Sequence, residues 1–144
     1  MLADYDPQWP AAFEDAADDI HRAIGAGWMI EHIGSTSIPG MPAKPIIDLA
    51  VRVDDLAEVD ANRHQLAEVG FVGITAGPRT HRVLVRLNNG ERTHVAHFLT
   101  RASWATCIQR LFGDWLRANP ADRERYEAVK RTAAAEGTGG RDYT

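Results

Sequence analysis

Gly34-Ser35-Thr36-Ser37, with Asp48 further on, brings together the residue types in this sequence best suited to chemistry. A glycine-rich turn leaves backbone N–H groups unobstructed, and such groups together with a hydroxyl can hold phosphate oxygens. A carboxylate on a neighbouring strand can hold the Mg²⁺ that bridges those oxygens. Two common phosphate motifs are absent. The P-loop requires Gly-x4-Gly-Lys-Ser/Thr leading into a helix, whereas Gly40 is followed by Met41-Pro42-Ala43-Lys44-Pro45. Pro39, Pro42 and Pro45 forbid a regular helix there. The Gly-x-Gly-x-x-Gly dinucleotide fingerprint does not occur either. The spacing leaves two readings open. Residues 34–45 form either a ligand loop beside a metal-capable Asp48, or a tight connection in which Asp48 only satisfies a neighbour.

These residues must be held by the elements on either side. Apolar spacing at Ala12, Phe13, Ala16 and Ile20 predicts a helix over 10–24, stopped at Gly25 to Gly27. A short strand is expected over 28–33 and another over 46–53. In the second, Ile47, Leu49, Val51 and Val53 face one way, and Ile46, Asp48, Ala50 and Arg52 the other. Asp54 or Asp55 can cap a helix over 55–69 that closes at Gly70. Strands over 81–87 and 92–99 flank Asn88-Asn89-Gly90, a hairpin signal because Asn and Gly tolerate positive φ. Trp104, Ile108, Leu111, Trp115 and Leu116 read as one helical stripe enclosing Cys107 as a buried structural thiol. Asn119-Pro120 reads as the cap and first turn of a helix carrying Tyr126, Val129 and Lys130. The tryptophans and Tyr126 are expected in the core, and the tail from Gly137 is expected to be loose. The fold class is α+β: a small mixed sheet with helices packed on it.

At 144 residues the chain is expected to form a single domain over 1–144. A net charge of −4 gives no general drive toward nucleic acid or an anionic membrane, so any polyanion needs a local basic patch. One cysteine excludes an internal disulfide and fits a reducing compartment. The acidic start lacks a signal-peptide pattern, and no apolar run reaches membrane-spanning length. The expectation is a soluble, cytoplasmic protein with no membrane association. Nothing in the sequence points to a particular protein partner.

The central block then carries a specific likeness. Tyr5-Asp6-Pro7-x-Trp9-Pro10, Glu31 through Gly40, and Ala43-Lys44-Pro45-Ile46-Ile47-Asp48 resemble the signature of the GrpB family. Arg92-Thr93-His94 with His97, Leu116 through Pro120 with Tyr126 and Lys130, and Arg141 through Thr144 extend the resemblance across most of the chain. It implies a nucleotidyltransferase-like fold, in a family sometimes fused to dephospho-CoA kinase. Enzymes of that superfamily pair Gly-Ser with Asp-x-Asp across adjacent strands. Gly34, Ser35, Thr36 and Ser37 are then expected on phosphates and Asp48 on the metal, with Mg²⁺ as the cofactor. Lys44, Arg52 and Lys130 could supply positive charge, and His32 could orient the loop.

The catalytic half of that pattern is incomplete. The position two residues after Asp48 is Ala50, and a lone carboxylate is a poor base for a two-metal clamp. The strand at 92–99 offers His94 and His97, which alternation places on opposite faces unless a bulge intervenes. Whichever faces the pocket could serve as a general base or phosphate contact. Val95 stands where relatives often have a further histidine, and Gly113 where they have a basic residue. Two functions follow. One is Mg²⁺-dependent transfer of a nucleotidyl group to a small acceptor, with Asp48, His94 and His97 as the catalytic set. The other is a module that binds a nucleotide or other phosphorylated small molecule without transfer, which Ala50 favours.

Overall fold

A computed structural model describes residues 2–73 and 82–135. Among these residues five strands form one mixed sheet in the order β1-β2-β5-β4-β3: β1 Met29–Ile33, β2 Ile47–Val53, β3 Val72–Gly73, β4 Arg82–Asn88 and β5 Glu91–Thr100. β2 runs antiparallel to β1 and parallel to β5, and β4 returns antiparallel to β5. Asn89 and Gly90 take φ of 53° and 80° in the β4–β5 turn. These left-handed values match the twist of a tight hairpin.

The helices are α1 Trp9–Ile24, α2 Leu56–Ala61, α3 Arg63–Glu68, α4 Arg101–Ala105, α5 Ile108–Ala118 and α6 Pro120–Ala135. Trp9, Phe13, Ala16, Ala17 and Ile20 of α1 pack on Leu49, Val51, Phe98 and Leu84, with Val59, Leu66 and Phe71 completing this main core. The alternation expected in β2 holds: its aliphatic face enters the main core. Its other face places Ala50 in a small cluster with Ile33, Leu99 and Trp104. This is an α+β architecture with a thick apolar layer on one side of the sheet.

Three expectations are corrected. The single helix over 55–69 is two, divided at Asn62, whose side chain donates to the Glu58 carbonyl at 2.7 Å. A side-chain amide competing for backbone acceptors is why Asn weakens helix interiors. Asp55 does cap α2, accepting from the Ala57 N–H at 2.9 Å. The stripe from Trp104 to Leu116 is broken between α4 and α5, and Cys107 precedes α5, half-buried against the Ala50 cluster. Only Trp104 and Leu116 of that stripe are buried; Ile108, Leu111 and Trp115 are exposed, as is Val129. Asn119 donates its amide to the Trp115 carbonyl at 2.8 Å, closing α5. His81 and the tail from Gly137 lie outside the described residues.

Candidate functional site: a loop clasped by basic side chains beside Asp48

The chain leaves β1 through Gly34, whose φ of 75° and ψ of −179° suit glycine alone. A Cβ at this position would lie 2.5 Å from Asp48 Oδ2. Glycine is therefore required twice, for backbone conformation and for the approach of the carboxylate. Residues Ser35–Ser37 form a single 3₁₀ turn, and β2 then presents Asp48, opposite Ile33 in register.

The loop's hydroxyls have separate tasks. Lys130, from the middle of α6, is buried and donates its Nζ to Ser35 Oγ. Ser37 Oγ donates to the Gly34 carbonyl and accepts from Arg117 Nη1 at 3.0 Å. Arg123 Nη1 donates to the Pro39 carbonyl at 3.0 Å. Cations from α5 and α6 thus clasp the loop along its length. Thr36 is turned the other way. Its hydroxyl lies 3.4 Å from the Ile46 carbonyl, to which it donates, and 2.9 Å from His32 Nε2. The His32 ring stacks on Phe13 at 4.8 Å. Burial and the Arg117 charge lower its pKa to about 4. Thr36, through its hydroxyl, and His32 therefore anchor the loop to the main core.

Burial lowers the pKa of Lys130 to about 8, Asp48 opposing that fall and the Lys44 charge adding to it. Ser35, Asp48, Lys130 and Lys44 thus share one electrostatic neighbourhood. His97 joins it, with Nε2 3.7 Å from Asp48 Oδ1.

His94 does not join. It stands beside Ile47 on the main-core face, its Nδ1 2.8 Å from Thr93 Oγ1 and its ring edge-on to Phe71. Burial and the Arg86 charge lower its pKa to about 4. The irregularity in the β4–β5 ladder falls between Arg86 and Leu87, opposite the step from His94 to Arg92, so it leaves His94 and His97 on opposite faces. Arg52 shares the Asp48 face but lies four residues along β2, about 13 Å away at strand spacing. It is opposite Met29 and Leu99 in the sheet, outside this group. Arg82 and Arg86 are committed to Asp60 and to Asp19 with the Val69 carbonyl.

Two site neighbours were not singled out from the sequence. Glu31 is opposite Ala50 in β1, and Ala50 is opposite His97 in β5, so these three share a row on the Asp48 face. Burial raises the Glu31 pKa, with Arg110 and Arg117 opposing. The Arg110 guanidinium lies 4.9 Å over the Trp104 ring, and its buried Nε has no partner among the described residues. Alternation from Ile33 could have flagged Glu31. Arg110 depends on how α5 packs, which spacing does not reveal.

No group of three or more His, Cys, Asp or Glu is arranged to hold a metal among the described residues. No helix among them is long and apolar enough to cross a membrane.

Solved structures place this fold. A GrpB protein from Enterococcus faecalis matches with a TM-score of 0.85 and 29% identity over 100% of this chain and 89% of that one. A Cid1 poly(U) polymerase mutant bound to MgATP matches with a TM-score of 0.66 and 15% identity, over 96% of this chain and 46% of that one. The fold is nucleotidyltransferase-like. Among relatives, UPF0157 protein BH1888 of Halalkalibacterium halodurans is 37% identical, covering 92% of this chain and 68% of its own. UPF0157 protein SCO7215 of Streptomyces coelicolor is 41% identical over 90% and 68%. A dephospho-CoA kinase of Mycolicibacterium paratuberculosis is 29% identical over 93% of this chain but 39% of its own. The family model described as GrpB protein matches residues 1–144, and the chain belongs to the GrpB family.

Proposed function

We propose that this protein binds a nucleotide or related phosphorylated small molecule, with the phosphates held between the Gly34–Ser37 loop and Lys130. The observation that carries this reading is the buried Lys130 on Ser35 Oγ within the field of Asp48. A buried ammonium is costly unless its charge is answered. A phosphate on the Ser35 hydroxyl would answer it. The likeness to a nucleotidyltransferase bound to MgATP supports the same ligand class.

The donor set suits a magnesium ion carried in on a polyphosphate. Asp48 would supply one carboxylate, and Mg²⁺ normally retains several waters beside phosphate ligands. Ala50 in place of a second strand carboxylate does not suit a pair of ions.

Nucleotidyl transfer is the second reading, favoured by His97 beside Asp48. In it an acceptor hydroxyl oxygen attacks the α-phosphorus, its proton passes to His97, and pyrophosphate departs with the broken P–O bond. Ala50 makes binding without transfer the reading supported best.

Thermal shift against nucleoside tri- and monophosphates and CoA precursors, with and without Mg²⁺, tests the binding reading. A ligand at about 100 times its Kd stabilises by roughly 2.7 kcal/mol. The combined Ser35→Ala and Asp48→Asn variant should lose that response and keep its unliganded melting temperature within a few degrees. A response that survives both changes, or silence across the panel, would remove the loop as the ligand site.

A further inference from the structure

Lys44 also lines an open groove of about 680 Å³. That volume is ordinary for a small-molecule site. One wall is Lys44, Pro45 and Ile46; the other is the β4–β5 turn, with Asn88, Glu91, Arg92 and Thr93. The first wall is well fixed. Ala43 exchanges backbone hydrogen bonds with Ala3 at 2.8 and 3.0 Å, and the Ile46 N–H donates to the Lys44 carbonyl at 2.7 Å. The second wall is a tight hairpin. Neither wall needs to form on binding.

The charges in this groove are not used by the fold. Among the described residues neither Lys44 nor Arg92 has an ion-pair partner, whereas Arg82, Arg86, Arg101 and Arg117 are each paired with a carboxylate. Thr93 is already committed, donating to the Arg86 carbonyl and lying against His94. The open polar groups are therefore two cations, the Asn88 amide and the Glu91 carboxylate. The carbonyl of Ile46, on the first wall, accepts from Thr36 Oγ1 of the Gly34–Ser37 loop at 3.4 Å, and Ile46 stands two residues before Asp48, so the groove adjoins the loop.

We infer that this groove receives a second, phosphate-bearing small molecule alongside the ligand on Ser35, with Arg92 and Lys44 holding its phosphate. Arg92 offers a planar fork suited to phosphate oxygens, and Lys44 a point charge between the two anions. Glu91 and Asn88 offer an acceptor and an amide to the hydroxyls of the same molecule. The assignment of this molecule as the second of two rests on the binding reading above; the groove's preference for phosphate does not.

Amide chemical shifts of the full chain, titrated with ribose 5-phosphate, with ribose, and with Mg-ATP, separate the two. Ribose 5-phosphate should move Asn88, Glu91, Arg92, Lys44 and Ile46 saturably, and ribose should not. Arg92→Glu should weaken that binding about tenfold or more, the loss expected when a charged hydrogen bond is removed, and leave the Mg-ATP response intact. Ser35→Ala with Asp48→Asn should do the reverse. Groove binding that persists when Mg-ATP fails everywhere would overturn the loop reading and keep the phosphate groove. No saturable change around Arg92, or an equal response in a folded Arg92→Glu protein, would overturn the groove. An Mg-ATP response that falls with Arg92→Glu would also overturn it, because a single ligand would then span both regions.

Discussion

The two faces of β2 are built on different terms. Toward α1, Ile47, Leu49, Val51 and Val53 are buried among Phe13, Ile20 and Phe98. Toward α5 and α6, the same strand presents Asp48, Ala50 and Arg52, with a small apolar cluster of Ile33, Leu99, Trp104 and the half-buried Cys107. Buried apolar area dominates folding free energy, so the first face carries most of the fold's stability. The second holds charge that stability alone would not select. Substitutions on the two faces should therefore separate stability from ligand response.

The largest effect is expected on the apolar face. Leu49→Ala should cost about 2–5 kcal/mol, read as a lower urea midpoint, with Asp48 still able to support a ligand response wherever the protein remains folded. Gly34→Ala, beside the other face, breaks the separation. The backbone conformation alone costs about 1–3 kcal/mol, and the new methyl would displace Asp48. Both the melting temperature and the phosphate response should fall. If only stability changed, the close approach of Gly34 and Asp48 would have no functional meaning.

Lys130 sharpens the comparison through pH. Its pKa in the fold, about 8, lies below its ordinary 10.5. Between those values the unfolded chain holds a proton that the folded chain does not, so this group's contribution makes stability rise with pH across that window. Below about pH 8 the buried charge exacts its full penalty. Lys130→Met should flatten the rise and leave the unliganded protein at least as stable near neutrality, while losing the phosphate response. In the unmodified protein that response should weaken as pH rises past about 8, because a neutral amine no longer answers the phosphate. Thermal melts from pH 7 to 10, with and without ligand, check both slopes. The smallest effect belongs to Ser37→Ala, which removes hydrogen bonds to Gly34 and from Arg117 worth about 1 kcal/mol each. It should loosen the loop and leave the Ser35 response largely in place.

Much of the scaffold was legible because it depends on local periodicity. The alternation of β2, the Asn89-Gly90 turn and the face of α1 all follow from neighbours in sequence. Gly34, Ser35 and Asp48 were likewise placed on adjoining strand ends by pattern and resemblance. What pattern leaves open is tertiary. Thr36 looks like its serine neighbours until His32 and the Ile46 carbonyl claim its hydroxyl. The break at Asn62 turns on one side-chain amide competing with the backbone. Ile108, Leu111 and Trp115 have helical spacing, yet spacing does not say whether anything covers them. Glu31 was readable by alternation, whereas Arg110 acquires its position only from the packing of α5 on β1.

The bond from Lys130 to Ser35 spans 95 residues, which gives the loop a history as well as a geometry. At about 5–20 residues per second of synthesis, Ser35 waits roughly 5–20 s on the ribosome for the lysine that will meet it. β1 and β2 are made early and pair with each other, but β5, the parallel neighbour of β2, arrives late and α6 later still. Contacts this distant slow folding because the chain must be ordered before they repay it. The charged side of the sheet is therefore completed only when α6 is made, and a nascent chain holds a half-built loop open to water until that helix emerges.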